Sequence, residues 1–366
     1  MKRPFHDLRA SFLRQEAELL AAAKRVLDRG WYILGEEVAA FEREFAAFVG
    51  AKQAIGVGNA TDALELALRA LDVKAGDDVA IPALTAAPTG MAVCAIGARP
   101  LIVDVEPDSF TIDPAALARA LTPQTRAIVP VHLYGQCADL APILELASEA
   151  GVPLIEDCAQ AHGATLHGRG AGTFGAVAAW SFYPTKNLGA FGDGGALTSD
   201  DPELAERMRR LGNYGGIADY DFVEPGRNSR LDELHAALLR VKLKLVAENN
   251  ERRRDHARRY LAEVTNHLVK LPIERPGARH VWHQFVVRCE KRDLLRFFLA
   301  ARGVETLVHY PRALHQMQAF QKMALVPAEP KEAARAAAEI LSLPIYPELP
   351  RDHQDAAIAA LNAFRA

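Results

Sequence analysis

Residues 153–160 read Pro-Leu-Ile-Glu-Asp-Cys-Ala-Gln, and residues 177–186 read Val-Ala-Ala-Trp-Ser-Phe-Tyr-Pro-Thr-Lys. Each is a short apolar run that ends close to a charged side chain, Asp157 in the first and Lys186 in the second. Runs this continuous suit strands buried on both faces, as in a mainly parallel sheet covered by helices. Similar runs lie at 54–57, 79–82, 101–105, 127–133 and 195–198. Helical spacing separates them, over Ala60 to Leu71 and over Leu140 to Ala150, the latter closed by Gly151. Asp201-Pro202-Glu203 opens another helix, and Ser11 to Arg29 forms one that stops at Gly30. The expectation is an α/β protein whose large three-layer domain binds its ligand at the carboxyl ends of the strands.

Further on, Leu231 to Ala247 and Glu251 to His267 read as helices. His283 to Val287 reads as a strand, and Arg292 to Arg302 and Ala333 to Leu341 as further helices. This places a large domain at 1–249, including the N-terminal helix, and a smaller α+β domain at 250–366.

Composition narrows the function. At 366 residues, half of them hydrophobic, the chain exceeds one ordinary core. A formal charge of −3 argues against nucleic acid or an anionic membrane as partner. Cys94, Cys137, Cys158 and Cys289 are scattered, without metal-ligand spacing, and suit reduced core residues of a cytoplasmic protein. His162, His280 and His283 have no ligand partners at useful spacing, so no metal site is expected. No apolar run suits a signal peptide or a membrane span.

Asp157 and Lys186 make a chemical pair. A carboxylate leaving one strand pairs with a pyridinium nitrogen, and a lysine leaving another forms an imine with an aldehyde on the same ring. Trp180, Phe182 and Tyr183 surround the lysine with apolar groups, which favours its neutral amine. Alone, Asp157 also reads as a helix cap and Lys186 as a surface lysine. Gly56-Val57-Gly58-Asn59-Ala60-Thr61-Asp62 stands at a strand-to-helix junction, where free N–H groups receive a phosphate or the chain merely turns. Its GxG start invites a dinucleotide reading, but Thr61 replaces the third glycine. Ser181 is either a second phosphate contact or a small core residue.

Five blocks carry a resemblance: GNATDAL (58–64), PVHLYGQCADL (130–140), EDCAQAHGA (156–164), SFYPTKNLGAFGDGGAL (181–197) and NSRLDELHAALL (228–239), followed by HYP (309–311). In this order they resemble the DegT/DnrJ/StrS sugar aminotransferases over nearly the whole chain. The resemblance implies the pyridoxal phosphate (PLP) transferase fold of type I and a homodimer with the active site at the subunit boundary. It implies Lys186 as the Schiff-base lysine and Asp157 as partner of the ring nitrogen. Gln160 would meet the ring hydroxyl, and Ala159 would pack under the ring. Ala60, Thr61 and Ser181 would hold the phosphate, with Asn228 reaching the neighbouring subunit's phosphate. His309 and Tyr310 would line the acceptor pocket. Arg230 would bind a donor carboxylate or a sugar diphosphate, or else form a helix-surface ion pair. Many relatives place an aromatic on the ring where this chain has Ala86.

The implied activity is ping-pong transfer of an amino group from L-glutamate to a keto sugar (3-keto or 4-keto-6-deoxy) on a nucleoside diphosphate. Phe5-His6-Asp7-Leu8 and residues 131–135 lean toward C3. Aminocyclitol transfer, amino-sugar dehydration, a non-catalytic PLP-binding regulator and a nicotinamide dehydrogenase are the alternatives. Retention of Lys186, where dehydrating relatives carry histidine, favours amino transfer.

Overall fold

The computed structural model describes residues 4–218 and 220–365. Seven strands build the central sheet: β1 (Gln53–Val57), β2 (Asp78–Pro82), β3 (Arg99–Val103), β4 (Thr125–Ile128), β5 (Ile155–Asp157), β6 (Val177–Ser181) and β7 (Gly195–Ser199). Their order is β1-β7-β6-β5-β4-β2-β3, with β5 joined to β4 through the parallel bridges Ile128 to Leu154 and Val131 to Asp157. Only β7 runs antiparallel to its neighbours, pairing Gly195 with Val57 on one side and with Ser181 on the other. The expected mainly parallel, three-layer architecture is what forms. Val79 and Ile81 enter the core on one face while Ala80 between them enters the other, so helices cover both faces.

Local chemistry explains the helix ends that matter. Helix α1 (Glu16–Arg29) stops at Gly30, whose φ of +66° only glycine takes cheaply. It is followed by α2 (Glu36–Val49). Helix α3 (Ala60–Ala70) starts from Asn59, whose side-chain oxygen accepts the Asp62 N–H at 2.8 Å. Helix α4 (Ala87–Ala95) follows β2 and carries proline in its first turn.

Several boundaries differ from the sequence reading. The strand expected over Ala127 to Leu133 ends at Ile128, because the chain then bends through a short 3₁₀ turn with Tyr134 at positive φ. The helix expected over Leu231 to Ala247 is α5 (Glu233–Leu243), and the next is α6 (Val246–Glu263). The helix expected over Ala333 to Leu341 covers Lys331–Glu339, and its apolar end becomes a strand, Ile340–Leu343, paired antiparallel with Phe285–Arg288.

A separate core of Tyr260, Phe285, Leu295, Leu343 and Leu361 gathers the C-terminal elements. Residue 250 falls inside α6, which leads the chain from one core to the other. Ala313, Leu314, Phe320 and Ala333 pack back onto the large sheet. Among the described residues, no helix is long and apolar enough to cross a membrane.

Candidate active site

A cleft of about 550 Å³ opens at the carboxyl ends of β5 and β6. Ala60 and Thr61, the first residues of α3, form one wall, and their N–H groups have no acceptor within the helix. That helix end is a ready anion site. Glycine makes the approach possible: a Cβ on Gly195 would stand 2.6 Å from the Asn59 carbonyl carbon and 2.8 Å from the Trp180 oxygen. Ser181, the last residue of β6, also lines the cleft, and its hydroxyl accepts the Tyr183 N–H at 3.3 Å. Asp62 faces the same wall but is occupied, taking the Ser229 hydroxyl at 2.7 Å and the Asn59 amide at 3.1 Å.

Asp157 and Lys186 both open onto this cleft. Asp157 ends β5, with its N–H on the Pro130 carbonyl and its own carbonyl accepting the His132 N–H. One carboxylate oxygen accepts the Ala159 N–H at 3.1 Å and the other the Thr89 hydroxyl at 2.9 Å. Burial raises its pKa above the ordinary carboxylate value, against the pull of those two donors and of Lys186. Lys186 follows β6 in a turn closed by its N–H on the Tyr183 carbonyl. Burial lowers its amine from 10.5 to about 8, and the charge of Asp157 opposes that fall. Trp180 and Phe182 are wholly buried beneath it, whereas Tyr183 is half exposed at the rim.

Beside Asp157 lies a second buried carboxylate with a different task. Glu156 accepts the His132 Nε2–H at 2.9 Å and the backbone N–H groups of Gly172, Phe174 and Gly175 at 2.8, 2.7 and 2.7 Å. The Ala138 N–H donates to His132 Nδ1, which selects the Nε2-protonated tautomer. Against the upward push of burial, His132 and the glycine N–H groups hold Glu156 below its ordinary value. With Cys158 these side chains form a trio whose ligand atoms lie within 4.8 Å of one another. It does not suit a cation, because both His132 nitrogens are engaged and burial keeps the Cys158 thiol protonated. The trio braces the strand that carries Asp157.

The other expected site residues divide. Ala159 lines the cleft. Gln160 does not; its amide oxygen accepts the Tyr134 N–H at 2.6 Å and its nitrogen donates to the Tyr310 hydroxyl at 3.2 Å, leaving one N–H to spare. Burial pushes Tyr310 up to about 12 and His309 down to about 4. His309 faces the Ser342 hydroxyl through Nδ1 at 2.8 Å. Asn228 is exposed and bridges to Asn213 through the backbone, outside this cleft.

Arg230 lines a different cavity of about 300 Å³, donating to Asn213 Oδ1 at 2.9 Å and lying over the Tyr214 ring. Arg230 precedes α5 rather than lying on it, and among the described residues its hydrogen-bond partner is a neutral amide, not the carboxylate of a helix-surface ion pair. Ala86 and Pro88 line the cleft where an aromatic was expected. Sequence reading missed Thr89 and Tyr134: nothing in the spacing shows that α4 sets a hydroxyl against Asp157.

These residues suit a flat phosphorylated ring, with an anion cradle at one end, a carboxylate and an amine within reach, and small side chains at Ala86 and Ala159 that leave room for the ring. Fold and site define a pyridoxal phosphate-dependent aminotransferase. Residues 14–362 match the DegT/DnrJ/EryC1/StrS aminotransferase family, and the chain belongs to it.

The chain is 46% identical over 363 residues to dTDP-3-amino-3,4,6-trideoxy-alpha-D-glucose transaminase of Streptomyces venezuelae, covering 99% of this chain and 95% of that protein. It is similar to the crystal structure of S. venezuelae DesV in complex with a ketimine intermediate, with a TM-score of 0.96, 46% identity and coverage of 100% and 99%. The Bacillus subtilis NtdA structure, with bound cofactor PMP, is 30% identical with a TM-score of 0.91, covering 98% of this chain and 84% of that one. Two other relatives, at 43% and 40% identity, are named for 3-amination of a dTDP-sugar and a UDP-sugar, and one at 41% is named a pleiotropic regulatory protein.

Proposed function

We propose that this enzyme moves an amino group from L-glutamate to the C3 keto carbon of a nucleoside-diphosphate sugar, in two alternating half-reactions. The observation that carries the reading is the convergence of Asp157, Lys186 and the α3 N-terminus on one cleft. The C3 preference draws on the names of the relatives and on the N-terminal and 131–135 segments.

Bound PLP supplies an electron sink conjugated to the substrate α-carbon. Asp157, as a carboxylate, would pair with the ring nitrogen and favour its protonated form. Lys186 would hold the cofactor by its aldehyde and, as a free amine, would serve as the general base and acid that takes and returns the proton at the substrate α-carbon. Ala60, Thr61 and Ser181 would hold the phosphate and Ala159 would support the ring, while Gln160, set behind the cleft wall, would offer its spare N–H to the ring hydroxyl. His309 and Tyr310 border the acceptor.

Among the described residues the cleft's charged lining is Asp62, Asp157, Asp193 and Lys186, with no arginine. Asn228 and Arg230, placed outside it, fit a role in the partner's cleft of a homodimer, toward phosphate and diphosphate. Exposed apolar surface supports such a dimer: Trp31 to Leu34 form one exposed run, and Ile217, Tyr220 and Phe222, in or beside the paired strands Gly216–Ala218 and Asp221–Phe222, are exposed as well. Four unpaired cysteines fit a cytoplasmic setting. Residues 1–249 would form the large cofactor-binding domain and 250–366 the smaller C-terminal one.

The test is a panel of 3-keto and 4-keto nucleotide sugars with ¹⁵N-glutamate. Label should enter C3 of a 3-keto substrate. Label found only at C4, or transfer from alanine but not glutamate, would refute the assignment.

A further inference from the structure

We propose that Thr89 is a positioning residue for transfer, holding Asp157 ionised through a hydroxyl relay that begins at Thr85. The inference rests on reading Asp157 as partner of the ring nitrogen.

Among the described residues each Asp157 oxygen has one donor, the Ala159 N–H on Oδ1 and the Thr89 hydroxyl on Oδ2. Thr89 stands in the first turn of α4, and the Thr85 hydroxyl lies 3.2 Å from its own. A hydroxyl has one proton to give, and an ionised carboxylate only accepts. Thr89 therefore donates to Asp157, and Thr85 donates to Thr89. Both threonines are buried, at 1% and 2% exposure, so bulk water does not replace a lost donor. Thr89 also lines the cleft.

The relay counters the one influence that works against the site. Burial favours the neutral carboxylic acid, which would leave the ring nitrogen without its counter-charge. A hydroxyl bond to the charged form shifts the balance back, and such bonds are about twice as strong as neutral ones. The proton then stays on the ring nitrogen rather than on Asp157.

The experiment compares Thr89→Val, Thr89→Ser and Asp157→Asn as PLP-loaded enzymes. It follows the pH titration of the visible band of lysine-bound cofactor, together with kcat and KM. Thr89→Val should still bind PLP on Lys186. Its titration midpoint should rise by about one pH unit and kcat fall about tenfold, the size of one lost charge-assisted bond. KM for the donor should stay within twofold, and Thr89→Ser should restore both quantities to within twofold.

A Thr89→Val enzyme within twofold of wild type in kcat and unmoved in midpoint overturns the proposal, as does a serine variant as impaired as the valine one. If Asp157→Asn also leaves the midpoint unmoved, the ring-partner reading of Asp157 fails instead. A shift in Asp157→Asn with none in Thr89→Val sinks only the role of Thr89. Should Thr89→Val not fold, Thr85→Val must move the midpoint the same way by less, and no movement overturns the relay.

Discussion

Raising pH on the cofactor-free enzyme should switch Lys186 on well below the range of an ordinary lysine. Its amine titrates at about 8 rather than 10.5, chiefly because it is buried. The difference corresponds to about 3 kcal/mol against the charged form. At pH 7 a group at 8 is about 9% neutral and one at 10.5 about 0.03%, so burial raises the reactive fraction about 300-fold. Linkage carries the same sign: below pH 8 the folded protein bears the full penalty of a buried ammonium. Between about 8 and 10.5 the folded form sheds its proton first, and stability rises with pH in that window. The assay is the initial rate of covalent PLP capture, stopped with borohydride and read by mass. The rate should climb about tenfold from pH 6 to 7, reach half its maximum near 8 and level off above 9. A rate still rising tenfold per unit between pH 9 and 10 would show a lysine behaving as in water, and the argument from burial would fail.

Glu156→Ala strands the His132 ring N–H and three backbone N–H groups in the interior. It should cost about 3–5 kcal/mol, seen as a lower urea midpoint, and a loss under about 1 kcal/mol would contradict the bracing role. Gly195→Ala drives a Cβ into the Asn59 carbonyl, so PLP affinity by fluorescence titration should fall about tenfold or more; unchanged affinity would mean the cradle does not meet the phosphate. Lys186→Ala should bind PLP without the visible band and lose transfer by at least about 10⁴-fold, and an unchanged band would place the linkage elsewhere.

Much of this site is readable in one dimension because strand ends project side chains predictably. The runs before Asp157 and Lys186 are apolar enough to specify buried strands, and Asn59 with its following helix signals its own cap. Contacts between distant segments are not readable that way. Thr89 stands 68 residues from Asp157, and no local pattern connects them. Tyr134 meets Gln160 through a backbone N–H set by a positive φ, a conformation its residue type does not advertise. The alanine-rich helical spacing of Ala333 to Leu341 runs on into the strand Ile340–Leu343, where pairing with Phe285–Arg288 overrides that propensity. Arg230 reads in its motif as a carboxylate or diphosphate ligand or as a surface ion pair; it lines a separate cavity of its own chain, a placement no local spacing encodes.

A crystal structure of the PLP-loaded enzyme tests the central claim most directly. It should show the Lys186 nitrogen bonded to the cofactor's C4′ and an Asp157 oxygen within about 3 Å of the ring nitrogen. Density joining the cofactor to another lysine, such as the half-buried Lys242 whose amine is also lowered to about 8, would contradict it, as would a ring nitrogen facing any group but Asp157.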